Sequence, residues 1–197
     1  NMDIRFWVVT IVFVGLFLIT NWDCIGDLLS KLWRNSKYKV EKIQTNEISF
    51  TKPAGFVLNR SDSPPVIYLE KFRFYSEQSK GCLSIVNGET INESFNEAWG
   101  SVSVAEGLDL EVYRNAAMSS ERTILSESEE VSRDGEEITL QIKATERTQL
   151  FEIESLFKII ENRRRNRTYE LIFCVLTQEK EKYAQKISET FASFRMV

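Results

Sequence analysis

The chain has 197 residues, 43% of them apolar, a formal net charge of −4, and no histidine. Without an imidazole, the commonest general base, metal ligand and pH switch is missing, so neither a Ser-His-Asp nor a Cys-His centre can be assembled from this chain alone. The acidic balance argues against general nucleic-acid binding, and the length suits one soluble domain behind a short N-terminal element.

Residues 1–22 are expected to form a transmembrane anchor. Phe6 to Trp22 reads FWVVTIVFVGLFLITNW, without a charge. As a helix this stretch rises about 25 Å, a little under the hydrocarbon thickness of a bilayer. Phe13 and Phe17 fall inside it, and Trp7 and Trp22 stand near its ends, where amphipathic rings prefer the headgroup zone. The exit, Thr20-Asn21-Trp22-Asp23, offers no small-x-small cleavage site, so a retained single pass is expected rather than a signal peptide. Lys31, Arg34, Lys37, Lys39 and Lys42 follow it. By the positive-inside rule these favour the cytoplasm, or its organellar equivalent, for the domain beyond.

Residues 23–46 are expected to be an amphipathic juxtamembrane helix and a neck. Ile25, Leu28, Leu32 and Trp33 recur at helical spacing on one face, a candidate contact with membrane lipids or a partner subunit. Residues 35–46 are polar and lysine-rich.

The globular domain is expected over 47–197. Ile48-Ser49-Phe50 alternates like a strand and should stop at Pro53-Ala54-Gly55-Phe56. Ser61 to Pro65 is a loop, and Val66 to Leu69 and Phe72 to Phe74 resume strand character. A strand from Cys82 to Val86 leads into Asn87-Gly88, taken as a loop because no clean strand follows. Thr90 to Trp99 is predicted to be a short helix with Phe95 and Trp99 as an i,i+4 pair. A second helix is predicted over 107–121, then an extended run over Arg122 to Glu129. Asp134-Gly135 predicts a two-residue type I′ hairpin turn before a strand that alternates Ile138, Leu140 and Ile142. Residues 149–162 fit helix and strand equally. Arg163 to Asn166 reads as a turn, Tyr169 to Thr177 as a buried strand, and 178–195 as a closing helix with Tyr183, Ile187, Phe191 and Phe194 on its apolar side.

Cys24, Cys82 and Cys174 match no metal spacing, and the last two read as buried thiols, or as a disulfide in an oxidising compartment. The glutamates around the Asp134-Gly135 turn fit no calcium loop and read as a solvated edge that discourages strand pairing. Arg163, Arg164, Arg165 and Arg167 form the sharpest charge feature, a candidate contact with anionic lipid or an acidic partner. No cofactor or metal site is read.

This order of elements resembles the PsbP-like and DcrB-like α/β sandwich superfamily. The resemblance rests on the early strand ending in Pro-x-Gly-aromatic (Ile48 to Phe56), the helix around Leu108 to Met118, extended Ile124-Leu125, the hairpin at Asp134-Gly135, and a closing helix that ends in Glu189-Thr190-Phe191-Ala192-Ser193-Phe194. It implies an α+β fold, an α/β/α sandwich around an antiparallel sheet, here behind a transmembrane helix. It also implies a strand over 149–162. Members of the family are soluble or lipid-anchored, whereas this chain has a span, and many work outside the cytoplasm, which opposes the flanking charge. The expected function is a non-enzymatic, single-pass membrane protein, an accessory or assembly subunit of a larger membrane complex, with membrane lipids and other subunits as partners. The alternative is a DcrB-like ligand- or client-binding module.

Overall fold

The computed structural model describes residues 37–60, 68–86, 89–107, 110–118, 121–148 and 151–197. The expected span at 6–22, the amphipathic segment at 23–34 and the Ser61 to Pro65 loop lie outside these. No helix among the described residues is long and apolar enough to cross a membrane.

The strands are β1 (Glu41–Gln44), β2 (Ile48–Lys52), β3 (Phe56–Arg60), β4 (Tyr68–Ser76), β5 (Ser79–Val86), β6 (Glu89–Asn96), β7 (Ala98–Glu106), β8 (Arg122–Val131), β9 (Glu137–Arg147), β10 (Glu152–Asn162), β11 (Arg167–Leu176) and β12 (Arg195–Met196). Two α-helices accompany them, α1 (Leu110–Ala117) and α2 (Lys180–Ser193). The result is an α+β fold dominated by antiparallel sheet. Seven strands run in the order β3-β4-β7-β11-β10-β9-β8, while β1-β2-β12 and β5-β6 form smaller sheets. Residues 40–197 make one compact unit.

Pleating sends alternate side chains of the large sheet to opposite faces. On one face, Phe72, Phe74, Val102, Val104, Leu171 and Phe173 pack under Tyr183 and Ile187 of α2 and Ile48 and Phe50 of β2. Phe56 meets the rings of Phe74, Phe173 and Tyr183 edge-on, with centroids 5.6–5.9 Å apart. On the other face, Ile138, Leu140, Ile142, Phe157 and Ile159 pack under Leu110 and Ala117 of α1. The two helices therefore sit on opposite faces. Strand β10 feeds both cores, with Leu156 and Ile160 on one side and Phe157 and Ile159 on the other. The strand assignment of 149–162 thus holds for 152–162.

The turn after β2 behaves as its sequence demands. Gly55 takes a φ of +82°, a left-handed conformation that suits glycine. Lys52, almost fully buried, donates from Nζ to the Phe56 carbonyl at 2.8 Å and spans the turn.

Several sequence expectations fail. Thr90 to Trp99 is not a helix but most of β6 and the start of β7. Antiparallel pairing with β5 and with β4 and β11 outweighs the single i,i+4 aromatic pair. No clean strand is expected directly after Asn87-Gly88, yet β5 and β6 pair, with Val86 opposite Glu89. Glu41–Gln44, assigned to the neck, is a strand paired with β2. Among the described residues, the helix expected over 107–121 spans Leu110–Ala117. The turn at Asp134-Gly135 is longer than two residues, since β8 ends at Val131 and β9 begins at Glu137. Only Gly135 there has positive φ, +72°. Ser132 organises the loop: its carbonyl accepts from Gly135 N–H at 2.9 Å, and its hydroxyl accepts from Glu137 N–H at 3.0 Å.

Candidate functional site

Helix α2 packs over β11 and β2, and beside it the large sheet is open towards β8. A groove of about 470 Å³ lies there. Leu156 and Val175 from the sheet and Ile187 and Phe191 from α2 give it an apolar floor. Its rim is polar and carries both signs of charge. Lys143 and Glu154 pair across β9 and β10 at 2.9 Å, Lys180 and Glu181 come from the start of α2, and Ser126 and Ser128 from β8. Ala184, small and exposed, keeps the helix side of the groove wide.

The opposite face carries a second concavity, a trough of about 460 Å³ across β4, β7 and β11. Strand register builds it in rows. Lys71, Ser103 and Glu170 stand abreast, then Arg73, Ser101 and Ile172, then Tyr75, Trp99 and Cys174. The outer row members alternate with Phe72 and Phe74, which are fixed in the α2-side core, so Lys71, Arg73 and Tyr75 must emerge on this face. Serines in the middle strand leave depth. Phe157 and Arg122 close the far side. Arg122 is held in three ways, by Glu146 at 3.2 Å, by the Ala116 carbonyl at 2.8 Å and over the Phe157 ring at 5.3 Å.

The electrostatics of the trough follow from burial. Burial pushes the Glu170 carboxyl above the usual range, against a hydrogen bond from Ser103 Oγ at 2.9 Å and the charge of Lys71. Burial also lowers the Lys71 ammonium, with Glu170 opposing the shift and Arg73 adding to it. Lys71 Nζ lies 4.1 Å from the centre of the Tyr68 ring. Among the described residues neither Lys71 nor Arg73 has a carboxylate within 4.0 Å. Burial raises the Cys174 thiol, whose sulfur lies 3.4 Å from Ser155 Oγ. Cys174 is a free thiol.

The arginines singled out on sequence sit at the β10–β11 turn, where Asn166 takes a left-handed φ of +53°. They do not act as one cluster. Arg163 faces Glu161 at 3.3 Å, and its backbone N–H reaches the Glu136 carbonyl at 2.8 Å, tying this turn to the β8–β9 loop. Arg165 donates to the Val197 carbonyl. Arg167 is shared between Glu47 at 3.7 Å and Glu106 at 3.6 Å. Among the described residues neither Arg164 nor Arg165 has an Asp or Glu carboxylate within 4.0 Å. Ile25, Leu28, Leu32 and Trp33 lie outside the described residues. Among the described residues no group of three or more Cys, Asp or Glu side chains could hold a metal ion.

Neither cavity was identified from sequence. The alternation Lys71-Phe72-Arg73-Phe74-Tyr75 was its visible trace, but the partner strands are distant in sequence, so the rows could not be assembled. The groove beside α2 left a trace in the apolar positions Ile187 and Phe191.

No family model matches the chain, and no curated protein matches it. Among solved structures it is similar to cyanobacterial PsbP (CyanoP) from Synechocystis sp. PCC 6803, at 13% identity and a TM-score of 0.48, covering 81% of this chain and 94% of that one. It is similar to the Ran-binding protein Mog1p of Saccharomyces cerevisiae at 12% identity and a TM-score of 0.48, covering 81% and 96%.

Proposed function

We propose that this chain is a non-enzymatic, single-pass membrane protein whose PsbP-like head, an α/β/α sandwich, serves as an accessory or assembly module for a larger membrane complex. The groove between α2 and β8–β10 carries this reading. Its apolar floor of Leu156, Val175, Ile187 and Phe191, under a rim of both charges, suits an amphipathic segment of a partner protein, with two or three apolar side chains inserted and flanking charges of both signs. The uncharged run at 6–22 supports the tether.

The test is purification of the full chain in mild detergent with mass spectrometry of what accompanies it. A defined partner should be retained by the parent chain and lost from Ala184→Trp, which fills the groove from an exposed helix position, while the variant keeps its melting temperature. Isolation as a free monomer, or retention of the same partner by Ala184→Trp, overturns the proposal.

The same groove favours a second reading, a DcrB-like module that holds clients in transit. That reading expects a heterogeneous, exchanging set of bound segments in place of one stoichiometric partner, with the same loss in Ala184→Trp.

A further inference from the structure

We propose that the trough across β4, β7 and β11 is a binding site for a small organic anion with a flat apolar body, an aryl or fused-ring carboxylate. This site is independent of the α2 groove, on the other face of the sheet.

The argument begins with the rows. On β4 two cations stand side by side on one face, Lys71 and Arg73, and among the described residues neither has a carboxylate within 4.0 Å. An arginine beside a lysine offers a planar fork and a point charge to one carboxylate. On an ordinary solvated strand such side chains need no explanation. Here they border a depression. Ser101 and Gly100 in the middle strand are short, so the cations overlook a floor lower than its rims.

The second row partner explains the apolar body. Tyr75 and Trp99 lie opposite each other in the next pair, and Phe157 and Ile172 line the inner side. Two half-buried aromatic side chains beside two cations form a surface with one apolar end and one positive end. A flat ring stacks on the first while its carboxylate meets the second. An uncharged ligand would leave the cations unanswered, and an inorganic anion would leave the aromatic end wet. The volume, about 460 Å³, lies in the range of small-molecule sites.

The negative groups near the trough do not cancel this polarity. Glu146 is engaged by Arg122 at 3.2 Å. Glu170 is 8% exposed and accepts the Ser103 hydroxyl at one end of the rows. It is not among the residues that line the trough, which include Lys71, Arg73 and Arg122. Lys71 and Arg73 therefore set the sign of the site.

The experiment uses the full chain in detergent, with isothermal titration of 2-naphthoate against matched detergent blanks. The neutral analogue 2-naphthylmethanol and inorganic phosphate are the comparison probes. Naphthoate should bind at least tenfold more tightly than either. Arg73→Glu, at an exposed position, should weaken naphthoate at least tenfold without moving the melting temperature. Ser101→Trp, which fills the floor and keeps both cations, should abolish binding, and Ala184→Trp in the other groove should leave it unchanged. Equal binding of the alcohol, unchanged affinity in Arg73→Glu or Ser101→Trp, or no naphthoate binding overturns the proposal.

Discussion

Tyr183 of α2 donates its phenolic hydroxyl to Glu97 Oε2 at 3.0 Å, and Lys182, the preceding residue, donates to the same oxygen. Glu97 sits between β6 and β7 and is largely buried, so this contact fastens the closing helix to the start of β7, an inner strand of the large sheet. Burial alone would raise the Glu97 carboxyl, but the hydrogen bonds from Lys182 and Tyr183 outweigh it, and the net shift is downward. A carboxylate with a depressed folded value contributes stability above its unfolded pKa of about 4.3, and that contribution is lost as pH falls through the folded value. Tyr183→Phe should cost about 1 kcal/mol at pH 7 in chemical denaturation. Glu97→Gln should flatten the acid limb of stability against pH, and an unchanged limb would refute the assignment.

Glu170 has the opposite sign. Its folded value is raised, first by burial, so the folded state holds its proton to higher pH than the unfolded chain does. The cost of burying the carboxylate is absent well below the unfolded pKa and grows as pH rises through the folded value. Glu170→Gln keeps an acceptor for Ser103 and removes that cost. We expect a gain on the order of 1 kcal/mol at pH 7 and none at pH 3, measured by urea unfolding. A loss at pH 7 would mean that Lys71 and Ser103 offset the desolvation in full.

Gly100, near the start of β7, has no room for a methyl group. An added Cβ would lie 2.4 Å from the Phe74 ring and 2.6 Å from the Ile172 carbonyl. The ring can turn aside, but the backbone of the neighbouring strand cannot without opening the ladder. Gly100→Ala should destabilise by about 3 kcal/mol. The double variant with Phe74→Leu should recover only part of this, and full recovery would show that the strand backbone yields.

Cys174 should be chemically quiet. It is buried, its thiol is shifted up by that burial, and its Ser155 contact only partly offsets the shift. A thiol reagent applied to the folded chain should leave the peptide containing Cys174 unmodified and label it fully in denaturant, as read by peptide mass spectrometry. Rapid native labelling would reveal an opening of β11 absent from this structure.

What could be read from sequence divides along physical lines. Strands with one face in a core were legible, because Phe72 and Phe74, and Ile138, Leu140 and Ile142, alternate with polar residues. Strand β10 was ambiguous for a reason the fold supplies. Both its faces are covered, so apolar residues fall at odd and even positions alike, and period two disappears. The segment at 90–99 misled because Phe95 and Trp99 sit one helical turn apart. They belong to two different strands, with Phe95 opposite Lys80 and Trp99 opposite Tyr75 and Cys174. Arg163 to Arg167 looked like one cationic tip because charge is visible in sequence and its partners, Glu47, Glu106 and Glu161, are scattered along the chain. The trough was invisible for the same reason, since Lys71, Ser103 and Glu170 become neighbours only through pairing.

Strand β8 closes the large sheet with an exposed margin, and all residues from Leu125 to Val131 face solvent. A bare margin is a template on which a second molecule can add, yet this one carries Glu127, Glu129 and Glu130, two of them braced by Arg114. Protection there is electrostatic and therefore conditional. Concentrated solutions of the chain in detergent should stay clear at neutral pH, and turbidity should set in as acidification approaches its isoelectric point near 5.2, where net repulsion vanishes.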